Sequence, residues 1–151
     1  MTTALDSPVT DARPPALVVR LTNLIMRTLL RTPLGRVVKP LALLEFNGRH
    51  SGARRRIVVG WHGDGTTSLV QTPAPWRANF TGGHVATVYW RGRRHTVTGT
   101  LDNDPVAVSA ALNTLLHTGT SARSLALRIP PGHALDRDDI ARNNRALIRF
   151  E

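Results

Sequence analysis

Between Asn47 and Arg56 the chain reads Asn-Gly-Arg-His-Ser-Gly-Ala-Arg-Arg-Arg, so four arginines, one serine and two glycines crowd into one short segment. Guanidinium forks pair bidentately with carboxylates and phosphates. Glycines permit a tight backbone path whose N–H groups can also face an anion. The chemistry offered is anion binding. Along a strand, alternate side chains point to opposite faces, which puts Arg54 and Arg56 on one side and Arg55 on the other. The usable set is therefore Arg49 with either the pair Arg54 and Arg56 or with Arg55. The plainer alternative is a solvated hairpin tip whose charge discourages edge-to-edge strand pairing.

Other chemistries are narrowed by composition. The chain has no cysteine, which excludes disulfides, iron–sulfur clusters and thiolate metal sites. Its histidines (His50, His62, His84, His95, His117 and His133) lack metal-ligand spacing, so no metal is expected. The formal charge of +10 is carried almost wholly by arginine, Lys39 being the only lysine among twenty basic residues. Such a surface suits anionic small molecules, anionic lipid or nucleic acid, although genomic bias toward arginine would give the same count. Nucleic acid is the disfavoured partner, because binders of that kind interleave aromatics with basic residues and aromatics here are only 5%. The first residues carry no basic region ahead of an apolar stretch, so the reading is a cytoplasmic protein.

The elements that must position the arginines follow from periodicity. At 151 residues, 41% hydrophobic and 20% charged, the chain has the size and balance of one globular domain. Residues 1–13 are polar and aperiodic and are expected to be disordered, leaving 14–151 as the domain. Pro14 and Pro15 precede an apolar stretch from Ala16 to Leu30. On a helical wheel Arg20, Asn23, Arg27 and Arg31 form one stripe, while Leu17, Leu21, Leu24, Ile25 and Leu29 form a broad apolar face. This amphipathic helix either covers part of the core, the favoured role, or lies on a membrane surface with its arginines at headgroup level. It is too short and too charged to span a bilayer.

From Leu41 the pattern turns to strands. Leu41 to Phe46 and Arg54 to His62 make a hairpin, Thr67 to Thr72 a third strand, and Val85 to Trp90 with Arg94 to Leu101 a second hairpin around Arg91-Gly92-Arg93. Between them Pro73 to Asn79 reads as a loop with one helical turn. Asp102 or Asp104 caps a helix from Pro105 to about His117, Ser121 to Ile129 fits helix or strand, Asp136 to Asn143 a short helix, and Ala146 to Phe150 a last strand. The expected fold is α+β, a small, mainly antiparallel barrel with helices packed outside.

With these elements in order, Leu41 to Asp104 resembles the deazaflavin-dependent nitroreductase-like proteins of the split β-barrel flavin and deazaflavin reductase superfamily. The resemblance is carried by an apolar strand ending in Gly-Arg-x-Ser-Gly (Gly48, Arg49, Ser51, Gly52), a basic second strand, a third strand leading to Trp76 and Asn79, then a valine-rich strand and an Arg-Gly-Arg turn. It implies a split barrel that cradles coenzyme F-420, an 8-hydroxy-5-deazaflavin, with FMN the less favoured flavin. The implied cofactor-binding residues are Gly48, Arg49, Ser51, Gly52, Arg54, Arg55 and Arg56 for the anionic tail, with Thr72, Pro73, Trp76 and Asn79 toward the ring. Hydride transfer to a small apolar acceptor is the implied activity, and no catalytic residue is assigned. The alternative is a non-catalytic barrel that binds a flavin, a haem-like group or a lipid. Peripheral membrane contact through the N-terminal helix and a homodimer are both compatible with the resemblance. The chain departs from the family in a shorter loop after Thr72, in Arg77 where an aromatic is common, and in lacking a C-terminal tyrosine. These departures leave the nitroreductase-type aromatic pocket unsupported.

Overall fold

Period-two burial organises the molecule around a seven-stranded antiparallel sheet. The computed structural model describes residues 9–11, 16–37, 41–63 and 67–151. In chain order the elements are β1 (Thr10–Asp11), α1 (Ala16–Leu29), β2 (Leu41–Asn47), β3 (Arg54–Gly60), β4 (His62–Gly63), β5 (Ser68–Thr72), β6 (His84–Trp90), β7 (Arg93–Asp102), α2 (Pro105–His117), β8 (Leu127–Arg128), α3 (Arg137–Arg142) and β9 (Ala146–Phe150). Short 3-10 turns occupy Pro33–Val37, Pro75–Phe80 and Ala122–Leu125.

The sheet order is β3-β2-β6-β7-β9-β5-β4. Its two edge strands, β3 and β4, are separated in the chain by Trp61 alone. One bent strand thus joins both edges, and the sheet curls into a split β-barrel with helices outside, an α+β fold. Sequence patterning anticipates one strand from Arg54 to His62, whereas the chain bends at Trp61 so that its two halves pair with different neighbours.

Alternation sends every second residue inward. Ala42, Leu44 and Phe46 of β2, Ala86 and Val88 of β6, and Ile148 and Phe150 of β9 fill the barrel with Val59, Trp61, Val70 and Phe80. The preceding Leu147 points outward, into a second core with Val108 and Leu112 of α2, Ile140 of α3, and Leu125, Leu127 and Leu135. β9 is therefore buried on both faces, which accounts for its nearly continuous apolar sequence.

The helix ends follow their capping residues. Asp104 accepts a hydrogen bond from the Val106 N–H at the start of α2, and Asp102 accepts instead from the Asp104 N–H. At α3, Asp136 and Asp139 form a reciprocal capping box. The ambiguous segment 121–129 holds both a 3-10 turn and β8.

Residues 9–11 depart from the expected disordered terminus. β1 pairs with β8, Val9 is buried in the second core, and Asp11 lies 3.3 Å from the buried guanidinium of Arg145. A buried guanidinium needs acceptors, and Arg145 also donates to Gln71 and to the Leu125 and Ala126 carbonyls. The rest of 1–13 lies outside the described residues.

Among the described residues, the C-terminal end of the amphipathic helix α1 is anchored to the barrel. Arg27 donates to the Arg56 carbonyl at 2.6 Å, and Leu30 just beyond the helix is fully buried. Leu17, Leu24 and Ile25, expected to face the core, remain 79%, 65% and 56% exposed. No described helix is long and apolar enough to cross a membrane.

Gly99 of β7 shows how closely the barrel is filled. A Cβ there would lie 2.6 Å from both the Phe80 and Phe150 rings. Gly99→Ala is expected to destabilise the fold by about 1–3 kcal/mol through overpacking. Urea unfolding measures this, and an unchanged midpoint would mean that the rings can yield.

Candidate functional site

The β2–β3 turn is built by short hydrogen bonds among its own residues. Gly48 N–H donates to the Ala53 carbonyl and Gly52 N–H to the Gly48 carbonyl, both at 2.8 Å, while Ala53 N–H donates to Ser51 Oγ at 3.2 Å. Gly52 adopts a positive φ of 66°, and a Cβ on Gly48 would lie 2.7 Å from Ser51 Oγ. The turn's path thus requires glycine at position 52, while a side chain at position 48 would displace the Ser51 hydroxyl.

The strand register then decides which arginines can meet. Glu45 lies opposite Arg56, Phe46 opposite Arg55 and Asn47 opposite Arg54. Arg55 therefore shares the face of Phe46, an interior residue, while Arg54 and Arg56 share the face of Glu45. On that outer face the Glu45 carboxylate is only 3% exposed and is held by three guanidiniums. Arg54 donates to Oε2 at 2.5 Å, Arg31 from the segment after α1 donates to Oε1, and Arg56 Nε lies 3.3 Å from Oε1. Arg31 also sits over the Tyr89 ring, 5.4 Å from its centroid. Burial by itself would raise the Glu45 pKa, but the hydrogen bonds from Arg54 and Arg31 and their charges outweigh it and hold the carboxyl below its ordinary value.

The inner face forms a cavity of about 340 Å³ between the turn and the 3-10 segment Pro75–Phe80. Gly48, Arg49, His50, Ser51 and Arg55 line one side, and Pro75, Trp76, Ala78 and Asn79 the other. Asn79 joins the two walls. Its Oδ1 accepts from the Arg49 N–H at 2.8 Å, and its Nδ2 donates to the Trp76 carbonyl at 2.7 Å. Trp76 packs against Phe46 and Phe80 with ring centroids 5.9 and 6.1 Å apart. The lining has two arginines and a histidine and no acidic residue. A rigid indole wall beside paired cationic forks can hold a planar, anionic molecule.

Of the residues singled out in the sequence, Gly48, Arg49, Ser51, Arg55, Trp76 and Asn79 converge on this cavity. Gly52 shapes the turn without lining it. Arg54 and Arg56 do not join Arg49 here, because strand alternation commits them to Glu45. With Arg27 and Arg55 they border a neighbouring cleft of about 560 Å³. Thr72 and Pro73 do not line this cavity either. Thr72 is buried, with Oγ1 accepting from the Ala74 N–H at 3.0 Å, and Pro73 lines a separate cavity with Arg77 and Asn144. His50 and Ala78 are lining residues not singled out in the sequence, and Pro75 belongs to the Pro73 to Asn79 loop. His50 could have been flagged by its position between Arg49 and Ser51. Glu45, the lone acid in an apolar strand opposite an arginine, was the overlooked signal that two of the cations are already paired.

No family model matches the chain, and no curated protein matches it. Among solved structures the chain is similar to the FAD and heme binding protein from Mycobacterium smegmatis, at 17% identity and a TM-score of 0.47. That alignment covers 95% of this chain and 67% of the other.

Glu45→Gln should lower stability by about 1.5–3 kcal/mol, the range for hydrogen bonds to a charged group. Because the folded carboxyl has a depressed pKa, its contribution is full above the ordinary carboxylate range and is lost as pH falls through the folded value. Urea unfolding of the two proteins at neutral and acid pH should give curves that converge as the solution is acidified. A constant difference would place the origin of acid sensitivity elsewhere.

Proposed function

We propose that the cavity between the β2–β3 turn and Pro75–Phe80 binds a flavin-type coenzyme, with coenzyme F-420 favoured over FMN. The observation that carries this reading is the convergence of Arg49, Arg55 and Ser51 on the cavity bordered by the Trp76 indole. The donor set fits the group. Two guanidinium forks and a hydroxyl match phosphate and carboxylate oxygens, and an aromatic wall matches a flat ring system. The cavity has room for part of such a coenzyme, with Arg55 at its border.

The bound coenzyme would supply hydride chemistry, and the acceptor would be a small apolar molecule. The protein's own residues have positioning tasks. Arg49 and Arg55 neutralise the anionic portion, the Asn79 bridge fixes the Arg49 backbone, and Trp76 with Pro75 excludes water from one side of the cavity. A barrel that binds a flavin, a haem-like group or a lipid without turnover would use the same wall and differ in having no acceptor reaction.

Titration of coenzyme F-420 followed by its fluorescence tests the reading. Arg49→Ala or Arg55→Ala should each weaken binding roughly ten- to a hundredfold, the loss of a charge-assisted hydrogen bond. Arg54→Ala should change affinity much less, since that guanidinium is held by Glu45. No fluorescence change with the wild type at tens of micromolar would remove F-420 as the ligand, and the same series with FMN would then decide for or against the flavin class.

Peripheral membrane contact through α1 is a second reading, favoured by the exposure of Leu17, Leu24 and Ile25 on a helix that also presents Arg20. Sedimentation with phosphatidylglycerol vesicles should recover the protein, and Leu24→Ser should reduce the bound fraction. Failure to sediment would exclude this contact.

A further inference from the structure

The arginine cavity lies at one end of the barrel, and the other end is chemically different. β2 runs from Leu41, paired with Gly60, to Asn47, paired with Arg54, so Trp61 lies at the end away from the basic turn. Trp90 ends β6 at that same far end, since His84 at the start of β6 is hydrogen-bonded to Asn47. Between the two indoles is a cavity of about 160 Å³.

Register explains its lining. Val88 lies opposite His95, Ala86 opposite Val97, and Ser68 opposite Phe150. Val88, Ala86 and Phe150 belong to the barrel core, so their cross-strand partners share the inward face. His95, Val97 and Ser68 are therefore directed to the barrel mouth, and all three border the cavity. The walls are mainly aromatic and aliphatic. Trp61 packs on Phe150 with ring centroids 5.0 Å apart, and Arg91 lies over Trp90 at 4.4 Å from the ring centroid.

One polar feature sets this mouth apart from ordinary core. The Trp61 Nε1–H is buried and has no hydrogen-bond partner among the described residues. A buried donor is normally paired, and one left unpaired on a residue that lines a cavity can gain from a ligand acceptor, once the indole turns toward it, a bond that the protein lacks. A cavity of roughly 150 Å³ lined by apolar groups accommodates a benzene-sized molecule.

We propose that this barrel mouth is a second small-molecule site, separate from the arginine cavity, which takes a compact planar aromatic bearing one hydrogen-bond acceptor. The ring lies between Trp61, Trp90 and Val97, and a small rotation of the Trp61 indole brings its N–H to the acceptor. His95 and Ser68 add polar contacts at the rim. Glu151 also borders the cavity and no arginine lines it, so the site selects against the anionic ligands suited to the other end. The inference does not depend on the coenzyme reading.

The test is the indole N–H region of ¹H–¹⁵N correlation spectra of the whole chain, which has only three tryptophans. The probe is acetophenone, and the control is α-methylstyrene, which has the same planar shape with a methylene in place of the carbonyl oxygen. Acetophenone should shift the Trp61 resonance saturably, with a dissociation constant of roughly 1 mM or tighter. α-Methylstyrene should bind about tenfold more weakly, having no acceptor. Val97→Phe, which fills the mouth, should abolish the shift, and Arg55→Ala should leave it unchanged. Trp61→Phe assigns the resonance, and if it does not fold, Trp76→Phe and Trp90→Phe assign it by elimination. Absence of a saturable Trp61 shift, or equal binding of the two probes, would overturn the proposal.

Discussion

A single buried carboxylate governs how the basic hairpin is presented. Glu45 sits on the outer face of the barrel wall, where an isolated ionised carboxylate would be strongly unfavourable. It is compensated by guanidiniums from two different parts of the chain, Arg31 following α1 and Arg54 and Arg56 on β3. Such a cluster need not add net stability over an apolar substitute. Its consequence is geometric. It joins the end of the N-terminal helix to the hairpin and occupies the two outward arginines, which leaves Arg55 on the inner face beside Arg49.

The same cluster explains why the site was only partly legible in the sequence. Strand alternation already divides the three consecutive arginines into two sets, and nothing in the linear pattern chooses between them. The choice is made by cross-strand register, which places Phe46 opposite Arg55 and Glu45 opposite Arg56. Trp76 and Asn79 were visible as a tryptophan and an asparagine after a strand, and the Asn79 side chain does bridge the loop to the turn. Thr72 and Pro73 stand at the entrance to that loop in the sequence and do not line the cavity. The Thr72 hydroxyl turns back to the Ala74 backbone instead, and the chain enters the cavity wall only at Pro75.

The fold was more legible than the site, for a physical reason. Period-two burial and helix caps are local, so the β2–β3 and β6–β7 hairpins, α2 and β9 fall close to where the residue pattern places them. Non-local pairings carry no such mark. Neither the pairing of β1 with β8 nor the insertion of β9 between β7 and β5 is written in the spacing of apolar residues. Both are set by which buried surfaces remain to be covered. Leu147 needs the outer helices on one side while Ile148 and Phe150 need the barrel on the other. The buried Arg145 draws Asp11 and the Ala122–Leu125 turn toward β5. The α1 face is the converse case, an amphipathic pattern legible as a helix whose apolar side chains Leu17, Leu24 and Ile25 find no cover on the barrel.

Closure of the barrel gives the molecule two ends with opposite chemistry. The bend at Trp61 carries one strand from the β3 edge to the β4 edge, so the curled sheet brings its two edges together at one point of the chain. At the hairpin end, the glycine-dependent turn holds cationic side chains against an indole, with Phe46 and Phe80 sealing the interior beneath. At the other end, the interior surface itself comes to the rim as Trp61, Val88 and Phe150. Ile148 and Phe80 belong to the core that separates the two cavities, and Phe80 packs on Phe150 at 5.5 Å. Close packing of that layer separates the two cavities, so that neither runs through the core into the other. The arginine-lined end and the mainly apolar end therefore differ in lining while sharing the same strands.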